Sequence, residues 1–442
     1  MIEALRNALK LPDLRRRLLY TVLILVVFRL ASNIPVPGVN QEALQALLAG
    51  GSATGKFINL LDLLSGGAVA NFSVLAAGVS PYVTASIVIQ LLIPIFPKLE
   101  QMLKEEGEDG QRKMNQWTFY ATVPLSLLYA FGQARLFAAG SASILPSFGF
   151  GEGQILPTIT ILITMMAGTM FAVWLGELIT EQGIGNGLSL IIFGGIVSQV
   201  PSNIADIWAK DKVGGLIVFL AITVVTMLVI VFVQDGERRI KVQYGKRVRG
   251  MKVYGGGSTY IPLKVNAAGM IPLIFAQSFL TFPAIIAQFF LNTTNPTITT
   301  IANATISFFS GSIRNSVWWV GALYVAMYFL IVVGFTYFYT DVMVQQQNLP
   351  EMLQRQGGFI PGVRPGKKTE EFINHVYRRI TLVGALFLGA VAVLPYITGA
   401  FMKADVMLIG SAGLLIVVGT VVDTMRQLEA QLLMRHYEGF LQ

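Results

Sequence analysis

The sequence predicts an all-α polytopic membrane protein, on three observations. Mean hydropathy is +0.64, and of 442 residues 54% are hydrophobic and only 13% charged, a balance that leaves no soluble core to look for. Apolar stretches of roughly 20 residues recur about ten times, each long enough to cross a hydrocarbon layer of about 30 Å. Lysine and arginine collect in alternate connections, as orientation by positive loops requires.

The elements follow in order. Residues 1–17 carry Arg6, Lys10, Arg15, Arg16 and Arg17 ahead of an apolar run from Leu18 to Ile34. A signal peptide has a shorter run and a small-residue cleavage site; this one contains Arg29 and ends in Pro35 and Pro37, so it reads as a retained first span. The next apolar segment, Phe57 to Leu64, covers only about 12 Å and must re-enter or lie in an interface. Ser65, Gly66 and Gly67 break it. A second span over 72–93 carries Gly78, Ser80, Pro81, Thr84 and Ser86, residues suited to close protein packing or a wet path. Further spans fall near 117–138, 155–175, 187–206, 214–233, 268–290, 317–340, 380–398 and 405–425.

An even count puts both termini on one side. The N-terminal tail, the 94–114, 235–266 and 341–379 loops and the C-terminal tail hold roughly 25 of the 32 Lys and Arg residues, which makes that side cytoplasmic. The 176–187 connection joins that side by parity alone, since it carries Glu177 and Glu181 and no positive charge.

Split five and five, the spans show a repeat. Ala76 to Ala85 and Ala267 to Ala276 both read A-A-G-x-x-P-x-x-x-A, each in the second span of its half. The charge topology sends one inward and the other outward, as an inverted repeat about an axis in the membrane plane requires; in a chain so rich in Ala and Gly, coincidence is the competing account. The halves are 1–206 and 207–442.

Six stretches carry a resemblance: Ile34 to Gly38 (I-P-V-P-G), Gly78 to Tyr82 (G-V-S-P-Y), Gly183 to Gly187 (G-I-G-N-G), Val253 to Gly269 (V-Y-G-G-G-S-T-Y-I-P-L-K-V-N-A-A-G), Phe359 to Gly366 (F-I-P-G-V-R-P-G) and Leu414 to Val418 (L-L-I-V-V). In order and over essentially the whole chain, they resemble the SecY family, the central subunits of the bacterial protein-conducting channel. The resemblance implies a clamshell of two inverted five-helix halves hinged near Gln199 to Gly215. Secretory chains would pass between the halves. Membrane segments would leave sideways, between the second and third spans on one side and the seventh and eighth on the other.

The resemblance also implies roles. Val79, Val83, Leu188, Ile192, Ile274 and Ile416 would form a constriction ring. All six are aliphatic, and a narrow apolar collar dewets and blocks ions while offering a passing chain nothing to bind. Each one alone suits ordinary helix packing better, but Val79 with Val83 and Leu188 with Ile192 lie on single helix faces. Ile274 also occupies the repeat position of Val83. The plug would be 57–67, with Phe57, Leu60, Asp62, Leu64, Ser65, Gly66 and Gly67; an interfacial amphipathic helix is the alternative. Leu64 stands where relatives often have Phe. Gln90 and Asn266 match polar positions of the lateral gate, although amides between spans also serve as helix–helix glue worth about 1 kcal/mol.

Docking would fall to the basic loops. Arg238, Arg239, Lys246, Arg247, Arg249 and Lys252 sit in the 235–266 loop, where Ile240, Val242 and Tyr244 alternate as in a strand. The positive-inside rule alone explains such a loop; a folded projection that meets ribosomal RNA phosphates or an acidic motor surface explains it too. Met251 and Lys252 replace the paired arginines common in relatives. Arg364 occupies a tip stiffened by Pro and Gly and matches the family's motor-contact arginine. Implied partners are small single-span subunits of the SecE and SecG kinds, a SecA-type motor ATPase, the ribosome, signal sequences and nascent chains, and membrane lipid. The implied location is the bacterial inner membrane.

Other chemistries fit poorly. The chain has no cysteine, which excludes disulfides, thiolate metal sites and cysteine nucleophiles, and His375 and His436 alone cannot form a histidine metal cluster. Gly362 to Thr369 imitates a phosphate loop with the wrong spacing and no preceding strand, and Gly183 to Gly187 lacks the dinucleotide spacing. No cofactor, metal or catalytic residue is implied, so energy must come from a partner. A secondary transporter shares inverted repeats and interrupted helices, but it usually needs ionisable groups at mid-membrane. Arg29, Arg135, Glu177 and Asp423 lie near span ends. An intramembrane hydrolase lacks its acid and nucleophile pair.

Overall fold

A computed structural model of the chain describes residues 10–44, 68–69, 71–93, 95–96, 98–99, 102, 107–138, 144–149, 151, 153–244, 247–249, 252–254, 257–290, 295–309, 318–347, 349–401 and 411–438. Their helices are α1 (Pro12–Ala31), α2 (Ser80–Leu92), α3 (Glu108–Ala138), α4 (Ile155–Gln182), α5 (Gly187–Asp235), α6 (Ile271–Gln288), α7 (Pro296–Phe309), α8 (Trp318–Gln347), α9 (Leu349–Arg355), α10 (Lys367–Phe401) and α11 (Ser411–Glu438). Between α5 and α6 lie β1 (Glu237–Tyr244), β2 (Arg247–Arg249), β3 (Lys252–Tyr254) and β4 (Ser258–Lys264), and β5 (Gly358–Phe359) follows α9.

The first span forms as expected. Pro12 opens α1 and Asp13 and Arg29 sit at the ends its dipole favours. Leu14, Thr21, Ile24 and Phe28 face inward while Leu19, Leu23, Val26 and Leu30 stay exposed, the pattern of a helix against lipid. By length and composition, α4, α6, the 319–355 stretch and the 367–394 stretch can each cross a membrane. α1 falls short of that test because Arg15, Arg16, Arg17 and Arg29 flank its apolar centre. The arrangement is consistent with the ten expected spans.

The second span differs from expectation. Helix runs only over Ser80–Leu92 rather than 72–93, about 20 Å. Gly78 at φ 53° and Phe72 at φ 41° are left-handed, and a helix cannot propagate through them. The 71–79 backbone instead pairs with the end of the first span: Val36 N donates to Phe72 O at 3.0 Å and Val74 N to Ile34 O at 2.9 Å. Irregular backbone at membrane depth must be enclosed by protein, and Phe72, Ser73, Leu75, Ala76, Ala77 and Val79 are all buried. Gly168 of α4 lets Val74 O approach where a Cβ would stand.

α5 is helical along its described backbone for 49 residues, roughly 73 Å if straight. Yet both ends return to neighbouring turns of α11. A Cβ on Gly185, just before α5, would lie 2.9 Å from Thr424 Oγ1, and Asp235 at the far end accepts from Arg426 Nη2 at 2.6 Å. The chain therefore doubles back within α5, and the spans expected at 187–206 and 214–233 are the two legs of this hairpin. Leu14, Ile184 and Leu428 cluster at the same end. The start of α1, the 183–187 turn and the late part of α11 thus share one end of the bundle, as parity required.

Three further differences concern connections. α7 is a helix that the span pattern omitted; its 14 residues are too few to cross. The 341–379 loop is largely helical, because α8 runs to Gln347, α9 follows, and α10 already begins at Lys367. The described part of the last span's helix runs over Ser411–Glu438, past the expected end at 425.

The connection after α5 folds as strands. β4, β1 and β5 make an antiparallel sheet in that order, with Val242 opposite Thr259 and Gln243 opposite Phe359. Ile240, Val242 and Leu263 pack on Val344, Leu353, Ile360, Ile373 and Val376 as a small separate core. The expected strand alternation at Ile240 and Val242 is therefore real.

Candidate channel and gate

The repeat motif takes the same shape twice. Gly78 and Gly269 are both left-handed, at φ 53° and 64°, and Pro81 and Pro272 each sit in the first turn of the helix that follows. Proline is pre-set for that position and lacks only a donor that would be unpaired there. The two helices run antiparallel. Ala77 clusters with Ile285, whereas Ile87, Val83 and Leu91 cluster with Phe275, Ile271 and Ala268. Numbers rise along α2 as they fall along α6, as inversion demands.

All six expected ring residues belong to one apolar cluster. Val79, Ile192, Ile274 and Ile416 are buried in it, and Val83 and Leu188 pack against it. Each lies at or within the first two turns of α2, α5, α6 or α11. The side chains present carbon only. Ile416 is fully buried and Val79 3% exposed, so these side chains are packed closely by their neighbours. The cluster is larger than the six, so burial does not by itself separate collar from ordinary packing. The plug residues Phe57, Leu60, Asp62, Leu64, Ser65, Gly66 and Gly67 lie outside the described residues.

α2 and α3 meet α6, and α6 meets α8, where the lateral gate is expected. The two amides expected at the gate each bond locally, within four positions of themselves. Gln90 Nε2 donates to Ser86 Oγ at 3.1 Å, and Asn266 Nδ2 donates to Gly269 O at 3.1 Å, holding the left-handed turn that opens α6. Their carbonyl oxygens are buried without a protein partner.

More buried polar groups lie along α3 and α6 than the sequence reading named. Gln133, Gln277, Ser278 and Gln288 are at most 9% exposed, and each has a polar side-chain atom with no protein partner. Gln277, Thr281 and Gln288 fall at i, i+4 and i+11, one face of a helix. That spacing was the available signal. Each buried unsatisfied group costs about 1–3 kcal/mol, which makes these helices costly to hold dry. Aromatic pairs flank them: Phe131 stacks on Phe289 at 4.8 Å, and Phe275 meets Tyr339 edge-on at 5.9 Å.

The residues expected to dock are distributed over two sheets and a tip. Arg238 and Arg239 are exposed on β1, and Arg239 Nε pairs with Glu237 at 2.7 Å, which leaves Arg238 the freer of the two. Arg247, Arg249 and Lys252 lie on the β2–β3 ribbon, with Arg249 opposite Lys252; the side chains of these three and all of Lys246 fall outside the described residues. Arg364 is exposed between the left-handed Gly362 and Gly366, and its carbonyl accepts from Thr369 Oγ1 at 3.0 Å. β5 joins that tip to β1. Among the described residues no group of three or more His, Asp and Glu could hold a metal.

Residues 73–425 match the SecY family model. The chain is 40% identical over 450 residues to the protein translocase subunit SecY of Thermotoga maritima, covering 100% of this chain and 98% of the relative. It is 39% identical over 461 residues to the subunit of the same name from Mycobacterium tuberculosis, covering 100% of both. Its fold is similar to a protein-conducting channel at a TM-score of 0.60 and 17% identity, over 94% of this chain and 92% of that one. It is likewise similar to Sec61 in the canine ribosome–channel complex, at a TM-score of 0.57 and 17% identity over 94% and 92%.

Proposed function

The chain belongs to the SecY family, and from that premise we propose that it is the protein-conducting subunit of a membrane translocase, with the six aliphatic residues as its seal and the α2/α3–α6/α8 contact as its lateral gate. The antiparallel packing of α2 on α6, with Val79, Val83 and Ile274 at their starts, carries this reading. A seam between inverted halves can part without breaking either half.

A signal sequence wedges between α2 and α6, the halves 1–206 and 207–442 part about the α5 hairpin, and the plug segment 57–67 moves aside. The ring then closes loosely around the moving chain. A segment that reaches the open gate partitions by its own hydrophobicity: a central Leu gains about 0.5 kcal/mol in lipid, and a Lys or Asp costs about 3 kcal/mol. The chain performs no chemistry on its cargo. Force comes from a SecA-type motor or a ribosome seated on the module that holds Arg238, Arg239 and Arg364, and SecE-like and SecG-like single-span subunits complete the complex. The location is the bacterial inner membrane, with both termini cytoplasmic.

Site-specific photocrosslinking from Ile192 to a secretory chain stalled in transit tests the reading. A crosslink that requires a signal-bearing chain is the expected result. Silence at Ile192, while a probe at Arg364 still captures a motor or ribosome, would remove the ring assignment and leave the docking one.

A further inference from the structure

Between α3 and α6 lies a cavity of about 10 Å³, walled by Ala76 and Ala77 on one side and by Gln133, Ser278 and Thr281 on the others. That is close to the least space that holds one water, roughly 10–15 Å³. Gln133 is 2% exposed and Ser278 3%. Gln133 spends its Nε2 on Ala76 O at 3.3 Å, which leaves Oε1 without a protein partner, and Ser278 Oγ has none either. Two neighbours are engaged elsewhere: Tyr129 with Thr84 at 2.9 Å, and Thr281 Oγ1 with Gln277 O at 2.8 Å.

We propose that one water molecule bridges Gln133 Oε1 and Ser278 Oγ across this seam and latches the closed gate. The donor set selects water over other occupants. An amide oxygen needs a donor and a hydroxyl can give or accept, so one water can satisfy both at once. The space excludes a larger molecule, and no charged side chain lines it to hold an ion. Buried waters typically make about three hydrogen bonds, and Ser80 and Thr281 line the same cavity. A bridging water is nearly as good enthalpically as a direct bond. It therefore joins the walls without the close approach that would make parting slow. Calling the bridge a latch rests on the reading of this seam as the gate.

The test uses the complete complex in lipid nanodiscs. A cryo-EM map of the closed channel that resolves ordered waters elsewhere should show a peak about 2.7–3.2 Å from both oxygens, and Ser278→Ala should lose it. A map without the peak overturns the proposal. In substrate-free conductance recordings Ser278→Ala strands Gln133 Oε1 and should raise the open fraction about 5–30-fold. Gln133→Leu removes the stranded oxygen but also the bond to Ala76 O, so it is the reference. In its background Ser278→Ala should raise the open fraction no further, because two groups that share one bridge are not additive. Two increases that multiply would overturn the bridge. A peak in place with an unchanged open fraction in Ser278→Ala would keep the water and overturn its role as a latch, and with it the reading of the seam as the gate.

Discussion

Gly168 shows how much a single missing Cβ does here. Val74 O, in the irregular run before α2, occupies the space where that atom would stand, and carbonyl backbone cannot swing aside as a side chain can. Gly168→Ala must therefore push α4 from the 71–79 run that carries Val79. Overpacking of this kind costs about 1–3 kcal/mol, so thermal unfolding in detergent should come several degrees earlier, and an unchanged midpoint would show that the contact can relax. Gly334 makes the useful contrast, since a Cβ there would meet nothing within 4 Å. Residue identity alone does not separate the two glycines.

At the scale of elements, β5 is the joint that ties two connections into the one body proposed for docking. It is two residues long, yet it ties the Arg364 tip to β1 through Gln243–Phe359 and Tyr244–Gly358 pairing. A Cβ on Gly358 would lie 3.0 Å from Tyr244 Cε1 and 3.3 Å from both Leu353 Cδ2 and Val242 Cγ1. Gly358→Val should pry β5 from β1 and loosen the tip. ATP-driven transport into proteoliposomes is expected to fall about as far as in Arg364→Glu, while insertion fed by ribosomes falls less in both variants. Equal loss of both activities in Arg364→Glu would remove the motor role. A Gly358→Val variant with full transport would show that the tip needs no anchor.

For the whole molecule, the question is what keeps two halves closed without welding them. The proposed seal is apolar and the seam beside it holds amides without a protein partner, so closure in this reading rests on burial opposed by a polar cost. Ile192→Ser with Ile274→Ser removes burial of roughly 1.5–3 kcal/mol per side chain and favours wetting of the collar. The resting ion leak should rise about tenfold or more, and chains with weak signals should be admitted. Unchanged conductance and selectivity would place the seal elsewhere.

Much of this was legible in the residues. Hydropathy and charge sorting mark the spans because lipid accepts only long apolar helices and loop charge orients them. The repeat was readable because Gly78 and Gly269, each followed by a proline, leave a local signature that needs no partner. The alternation of Ile240 and Val242 disclosed a strand for the same reason. Tertiary structure alone decided the rest. Gly78 and Phe72 cut the second span short because the 34–36 backbone was there to pair with what they released. α5 folds back because both its legs pack along α11, and β5 finds β1 from more than a hundred positions away. Gln133 and Ser278 look like stray polar residues in apolar helices until α3 and α6 enclose them. A sequence records periodicity and local backbone preference, whereas the cost of burying a polar atom depends on which other segment arrives to cover it.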